Sequence, residues 1–131
     1  MHPSGPDKIA VEVSASEVVL HVEQAIPLGL IANELILNSL KHGMHGTTKS
    51  LQVGLRYVSE SYHPEAGETA DDGWVELDVR DAGPGFPPGF DAAKTTSLGL
   101  RIVNLLARQL RGRFEIESGL GARVVFSFPL K

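Results

Sequence analysis

Four polar residues interrupt an otherwise apolar stretch, ANELILNSLKHG at Ala32–Gly43: Glu34, Asn38, Lys41 and His42. Polar groups set among apolar ones need partners or cost stability. At 100° per residue on a helix, Glu34, Asn38 and Lys41 fall within about 60° of one another, with His42 beside them. Leu28, Ala32, Leu35, Ile36 and Leu40 fall on the other side, and Leu30, Ile31 and Leu37 flank the stripe. A merely solvated face would be wider and more charged. A carboxylate, a carboxamide oxygen and an ammonium suit a hydrated Mg²⁺ with phosphates, since Mg²⁺ takes oxygen ligands and keeps several waters. Lysine supplies a point charge for phosphate oxygens. A carboxylate near a phosphoryl group can orient or deprotonate the attacking group. A local reading stays open beside this one, with Glu34 paired along the helix to Lys41 or Asn38.

Two glycine-bearing stretches add to the stripe. RDAGPGF follows directly on a strand pattern, with Asp81 ahead of Gly83 and Gly85. Two glycines around a proline allow a sharp turn and leave room for a flat ring. An aspartate at the rim of such a slot can accept from an exocyclic amine like that of adenine, although a plain turn has the same composition. TTSLGLRIV opens a helical pattern, in which Thr96 or Ser97 can act as N-cap and Gly99 lets a ligand approach the backbone. A helix N-terminus favours anions, and simple capping is the alternative. GLG at Gly119–Gly121 reads as a hairpin turn.

The elements that must position these residues follow from periodicity. KIAVEV and EVVLHV alternate as strands, with SAS as a turn between them. Pro27 suits the first turn of a helix running from about Pro27 to His42 and stopping at Gly43. SLQVGLRYV is a strand, Ser59 to Gly73 a polar loop, and WVELDVRD a strand with clear alternation. AGPGFPPGFDAAKTTS is irregular. LGLRIVNLLARQLRG is a second helix ending at Gly112, with Leu98, Ile102, Leu105, Leu106 and Gln109–Leu110 near one side. RFEIES and RVVFSFPL form a closing hairpin. This order predicts a two-layer α/β sandwich, one mixed, mostly antiparallel sheet covered on one face by two or three helices.

The 131 residues fit one domain, and 42% hydrophobic residues support a core of Leu, Val and Ile. Residues 1–8 read as a lead-in and residues 9–131 as the domain. A net charge of −4 without a basic tract argues against nucleic acid as a partner. The absence of cysteine excludes disulfides and thiolate metal sites. No signal peptide and no run of the roughly 20 apolar residues that span a bilayer is visible. A cytoplasmic domain without direct membrane insertion is expected.

Together, the E-x-x-x-N-x-x-K-H helix, the D-x-G-x-G loop and the glycine-bearing helix start resemble the catalytic ATP-binding domain of bacterial sensor histidine kinases. These belong to the gyrase, Hsp90, histidine kinase and MutL superfamily. The resemblance covers about residues 9–130, and IPLGLIANELILNSLKHG, VRDAGPGFPPGFD and SLGLRIVNLLARQLRGRFEI look most like the short-lidded subfamily. It implies the Bergerat-type ATP-binding fold, with ATP and Mg²⁺ as ligands. It implies that Asn38 binds Mg²⁺ and that Glu34 is the catalytic carboxylate, holding a Mg²⁺ water or assisting the acceptor. Lys41 and His42 would reach the phosphates. Asp81 would bind the adenine amino group, with Gly83 and Gly85 shaping the slot. Thr96, Ser97, Leu98, Gly99 and Leu100 would surround the phosphates, and Phe86 to Thr96 would be a short lid in which Phe86 and Phe90 anchor to the core.

The sequence also departs from the family. Ser97 stands where a first glycine is usual, and Ala122 where a threonine often lies near the adenine. No paired dimerisation helices with a phosphorylatable histidine are visible. Of the five histidines, His2 falls in the lead-in, His21 in a strand, and His45 and His63 in loops. The implied partners are therefore a dimerisation domain that carries the acceptor histidine and a downstream response regulator. A serine kinase of the anti-sigma-factor type and a nucleotide-binding docking module without transfer activity are the alternatives.

Overall fold

The computed structural model describes residues 9–42, 50–58, 62–63, 68–69, 73–83, 98–119 and 121–131. Strands β1 (Ala10–Ala15), β2 (Ser50–Val58), β5 (Trp74–Asp81), β6 (Arg113–Ser118) and β7 (Ala122–Pro129) form one sheet in the order β1-β2-β5-β7-β6. β1 and β2 are parallel and the other pairs antiparallel, as expected of a mixed, mostly antiparallel sheet. Two helices, α1 (Val22–His42) and α2 (Leu98–Leu110), pack on it. Within the polar segment expected to be a plain loop, β3 (Tyr62–His63) pairs with β4 (Glu68–Thr69) in a small separate ribbon.

Alternation divides the sheet into two faces. Val75, Leu77 and Val79 of β5 point to the helices, opposite Phe128, Phe126 and Val124 of β7. They form one core with Leu28, Ile31 and Leu35 of α1 and Val103, Ala107 and Leu110 of α2. The other face carries charge. Arg123 is hydrogen bonded to Asp78 at 2.8 Å and to Glu117 at 2.9 Å, and Arg56 to Glu76 at 2.6 Å. The bond to Asp78 pushes the Arg123 guanidinium further above its ordinary range, so it stays charged at any working pH.

Both helix readings need correction. α1 begins at Val22, one turn and more before Pro27, which lies inside it. EVVLHV is not a strand: residues 16–21 are irregular, and the His21 carbonyl accepts from Gln24 and Ala25 N–H at 2.9 Å each. The added turn places Gln24 where its Nε2 donates to the Pro129 carbonyl at 3.0 Å and its Oε1 accepts from Lys131 N–H at 3.1 Å. That buried clasp between helix start and chain end offsets the backbone hydrogen bond that Pro27 removes.

In α2 the buried face is Leu100, Val103, Ala107 and Leu110, whereas Ile102 and Leu105 are exposed. The helix is apolar over a wide arc, and the position of Phe126 and Phe128 selects which side is covered. α2 ends at Leu110 rather than Gly112. Arg111 takes the left-handed turn conformation (φ 60°), and Gly112 N–H reaches back to the Ala107 carbonyl at 2.9 Å. A side chain at Gly112 would enter the Phe126 ring, so glycine is needed one residue beyond the usual helix-ending position.

Candidate functional site

Topology brings the candidate residues to one end of the sheet. β1 is parallel to β2 and β5 is antiparallel to β2. Helix α1, returning from β1 to β2, therefore runs in the direction of β5. The C-terminal half of α1, with Glu34, Asn38 and Lys41, lies towards the end where β5 finishes in Asp81. β5 and β6 both run antiparallel to β7, so α2 is the crossover of a second, split unit and starts at that same end. Open α/β sheets favour ligand sites outside the carboxyl ends of their strands.

Asp81 is the last residue of β5 and follows the alternation of Val75, Leu77 and Val79 onto the helix face. Its carboxylate is therefore carried to the apolar side and is only 6% exposed. Backbone donors compensate: Oδ1 accepts from Gly83 N–H at 2.9 Å and from Ala122 N–H at 3.2 Å. Both bonds fall on one oxygen, and no described residue donates to Oδ2. The family resemblance pointed to Ala122 in the last hairpin, but not to its backbone N–H on the Asp81 carboxylate. Gly119 N–H does close that hairpin on the Gly121 carbonyl at 3.1 Å, as the turn reading expects. Gly121 also presses on Asp81: with φ at 146°, a Cβ there would overlap the Asp81 carbonyl oxygen. Beyond that resemblance the sequence signal was the glycine itself, because the pairing of β7 with β5 brings Ala122 to a residue 41 positions away.

The polar stripe of α1 lies at the border of the core. Leu28, Ile31 and Leu35 are buried, while Leu30, Leu37 and Leu40 are exposed, so the inward direction is turned towards the stripe by comparison with the sequence reading. Glu34 and Asn38 are half-buried and Lys41 is exposed. The Glu34 carboxylate lies against the first turn of α2, where a Cβ added to Gly99 would meet Glu34 Oε2. The Leu100 side chain is buried. His42 and Leu98 are helical, and their side chains lie outside what is described. Gly85, Thr96, Ser97 and the expected lid, with Phe86 and Phe90, lie outside the described residues, as do His2 and His45. Among the described residues, no three His, Cys, Asp or Glu side chains form a metal cluster, and no helix is long and apolar enough to cross a membrane.

A mixed sheet with two helices on one face, and a buried aspartate near a carboxylate-bearing helix and a second helix start, defines a class of nucleotide-binding domains. The chain belongs to the histidine kinase-, DNA gyrase B- and HSP90-like ATPase family, whose pattern matches residues 23–131. Membership implies a site for ATP. The chain is 30% identical over 116 residues to the sensor histidine kinase PdtaS of Mycolicibacterium smegmatis, covering 86% of this chain and 21% of that protein. It is 31% identical over 130 residues to the blue-light-activated histidine kinase 2 of Erythrobacter litoralis, covering 98% of this chain and 34% of that protein. The chain thus spans between a fifth and about a third of these relatives. The histidine kinase domain of the blue-light-activated kinase EL346 of Erythrobacter litoralis superposes with a TM-score of 0.80 at 27% identity, over 96% of this chain and 54% of that one. The fold is shared with Acinetobacter baumannii AdeS at a TM-score of 0.71 and 19% identity, over 95% of this chain and 55% of that one. The resemblance to histidine-kinase catalytic domains expected from the motifs is borne out.

Proposed function

We propose that this chain is the catalytic domain of a sensor histidine kinase, which transfers the ATP γ-phosphate to a histidine on a separate dimerisation domain. The observation that carries the reading is the buried Asp81 carboxylate, with Oδ1 held by two backbone N–H groups and Oδ2 without a donor among the described residues. A carboxylate fixed in this way accepts from an amine, and the adenine amino group is such a donor. Gly83, and by the family resemblance Gly85, would leave space for the ring. Asn38 and Glu34, half-buried on one stripe, offer the oxygen donors that Mg²⁺ prefers, Asn38 directly and Glu34 through a water. The bound ion would neutralise phosphate charge. Lys41 and His42 would meet the phosphates from α1, and residues Thr96 to Leu100 from the start of α2. Glu34 would orient the attacking imidazole or take its proton, and catalysis would be mostly positioning. A response regulator would receive the phosphoryl group from the acceptor histidine.

Labelled ATP tests the assignment. The chain alone should remain unlabelled. With an added dimerisation domain, acid-labile label should appear on that domain and should require Glu34. Acid-stable label on a serine, or no transfer alongside intact nucleotide binding, would overturn the histidine-kinase reading. Binding should weaken on chelation of Mg²⁺, and Asn38→Ala should remove that dependence.

A further inference from the structure

The conformation of α2 does not require glycine at position 99. Gly99 lies in the helical span Leu98–Leu110 and is not among the positive-φ glycines, Gly73 and Gly121. Any L residue adopts that backbone, and alanine is the better helix former. The space a side chain would fill is taken by Glu34. A Cβ at position 99 would fall on Glu34 Oε2 and lie 3.2 Å from its Cδ, and all three of its nearest atoms belong to that carboxyl group. The glycine therefore makes room for a side chain of α1. This differs from Gly121, where the obstacle is backbone.

We infer that Gly99 is a positioning residue for Glu34: its missing side chain is what lets the carboxylate rest against the first turn of α2, in the place from which it serves phosphoryl transfer. The inference deepens the proposed function and rests on it for the role of Glu34. The obstacle is the far end of a flexible side chain, so Glu34 would rotate away from an added methyl group at little conformational cost. The fold would survive Gly99→Ala, and the carboxylate would not stay where it is. A displacement of about 1 Å at a catalytic group can cost on the order of 100-fold in rate. Contacts to adenine, through Asp81, lie on another element and would be unchanged.

The test has a direct and a functional arm. In the chain itself, nuclear Overhauser effects should connect the Gly99 α protons with the Glu34 γ protons, whether or not any transfer occurs. Gly99→Ala should melt at the same temperature as the parent or higher. At saturating ATP it should lower kcat for transfer to an added dimerisation domain by on the order of 100-fold. Glu34→Ala should lower kcat similarly, and the double variant should add little to either. Absence of the Overhauser contact in the parent, an unfolded variant, an unchanged kcat, or a raised KM with kcat retained would each overturn the inference. If the parent itself transfers no phosphate, the proposed function fails and the Overhauser contact still decides whether Gly99 houses Glu34.

Discussion

Replacing Asp81 by asparagine separates its ligand role from its structural one. The Asp81 Oδ1 atom holds Gly83 N–H at 2.9 Å and Ala122 N–H at 3.2 Å. An asparagine carboxamide oxygen can accept both bonds, so the loop after β5 and the start of β7 stay tied. The ligand-facing atom then becomes an NH₂ group, a donor opposite the donor amine of adenine. A hydrogen bond involving a charged group contributes about 1.5–3 kcal/mol, which corresponds to roughly 10- to 140-fold in affinity at about 1.4 kcal/mol per decade. The facing donors add to that loss, so ADP binding by Asp81→Asn should fall below detection in calorimetry while the melting temperature holds. Asp81→Ala is the contrasting variant. It leaves two N–H groups without an acceptor, a cost of about 1–3 kcal/mol, or on the order of 4–12 °C for a domain of this size. An Asp81→Asn variant that binds ADP like the parent, or melts as early as Asp81→Ala, would refute the reasoning.

Three further predictions come from the neighbouring contacts. Ala122 follows the alternation of Val124 and Phe126 onto the face of Asp81, so a hydroxyl in Ala122→Thr adds about 0.5–1.5 kcal/mol to binding. ADP affinity should rise roughly 2- to 12-fold, the gain should vanish when Asp81→Asn is added, and an affinity equal to the parent's would leave Ala122 as a turn residue alone. Gly121→Ala sets a methyl group against the Asp81 carbonyl at a φ of 146°; it should cost more than about 1 kcal/mol of stability, and an unchanged urea midpoint would contradict the contact. Gln24→Leu removes the acceptor for Lys131 N–H and the donor to the Pro129 carbonyl. A loss of about 1–3 kcal/mol is expected, measured by denaturant titration, and a parent-like midpoint would show that the clasp contributes nothing.

The sequence by itself determined the sheet strands whose alternation is strict, the two helices, and the identity of the polar residues on α1. WVELDVRD is legible because alternate side chains of a half-covered strand must differ in polarity, and the same alternation carries Asp81 to the helix face. The motif spacings also named the family, since E-x-x-x-N on a helix and D-x-G-x-G after a strand are local patterns. The start of α1 was not legible. Pro27 is a good first-turn residue, and only the bonds of Gln24 to Pro129 and Lys131, more than 100 positions away, explain why the helix begins earlier. EVVLHV alternates like a strand but lies between the edge strand β1 and the start of α1, with no strand among the described residues beside it to complete a ladder. Which side of α2 is covered depended on the rings of Phe126 and Phe128, because local periodicity cannot choose between two apolar arcs. The Ala122 N–H on Asp81 and the Glu34 carboxyl beside Gly99 were decided only by the tertiary structure. Each joins elements that sequence spacing leaves independent, and strand pairing and helix packing alone bring them into contact.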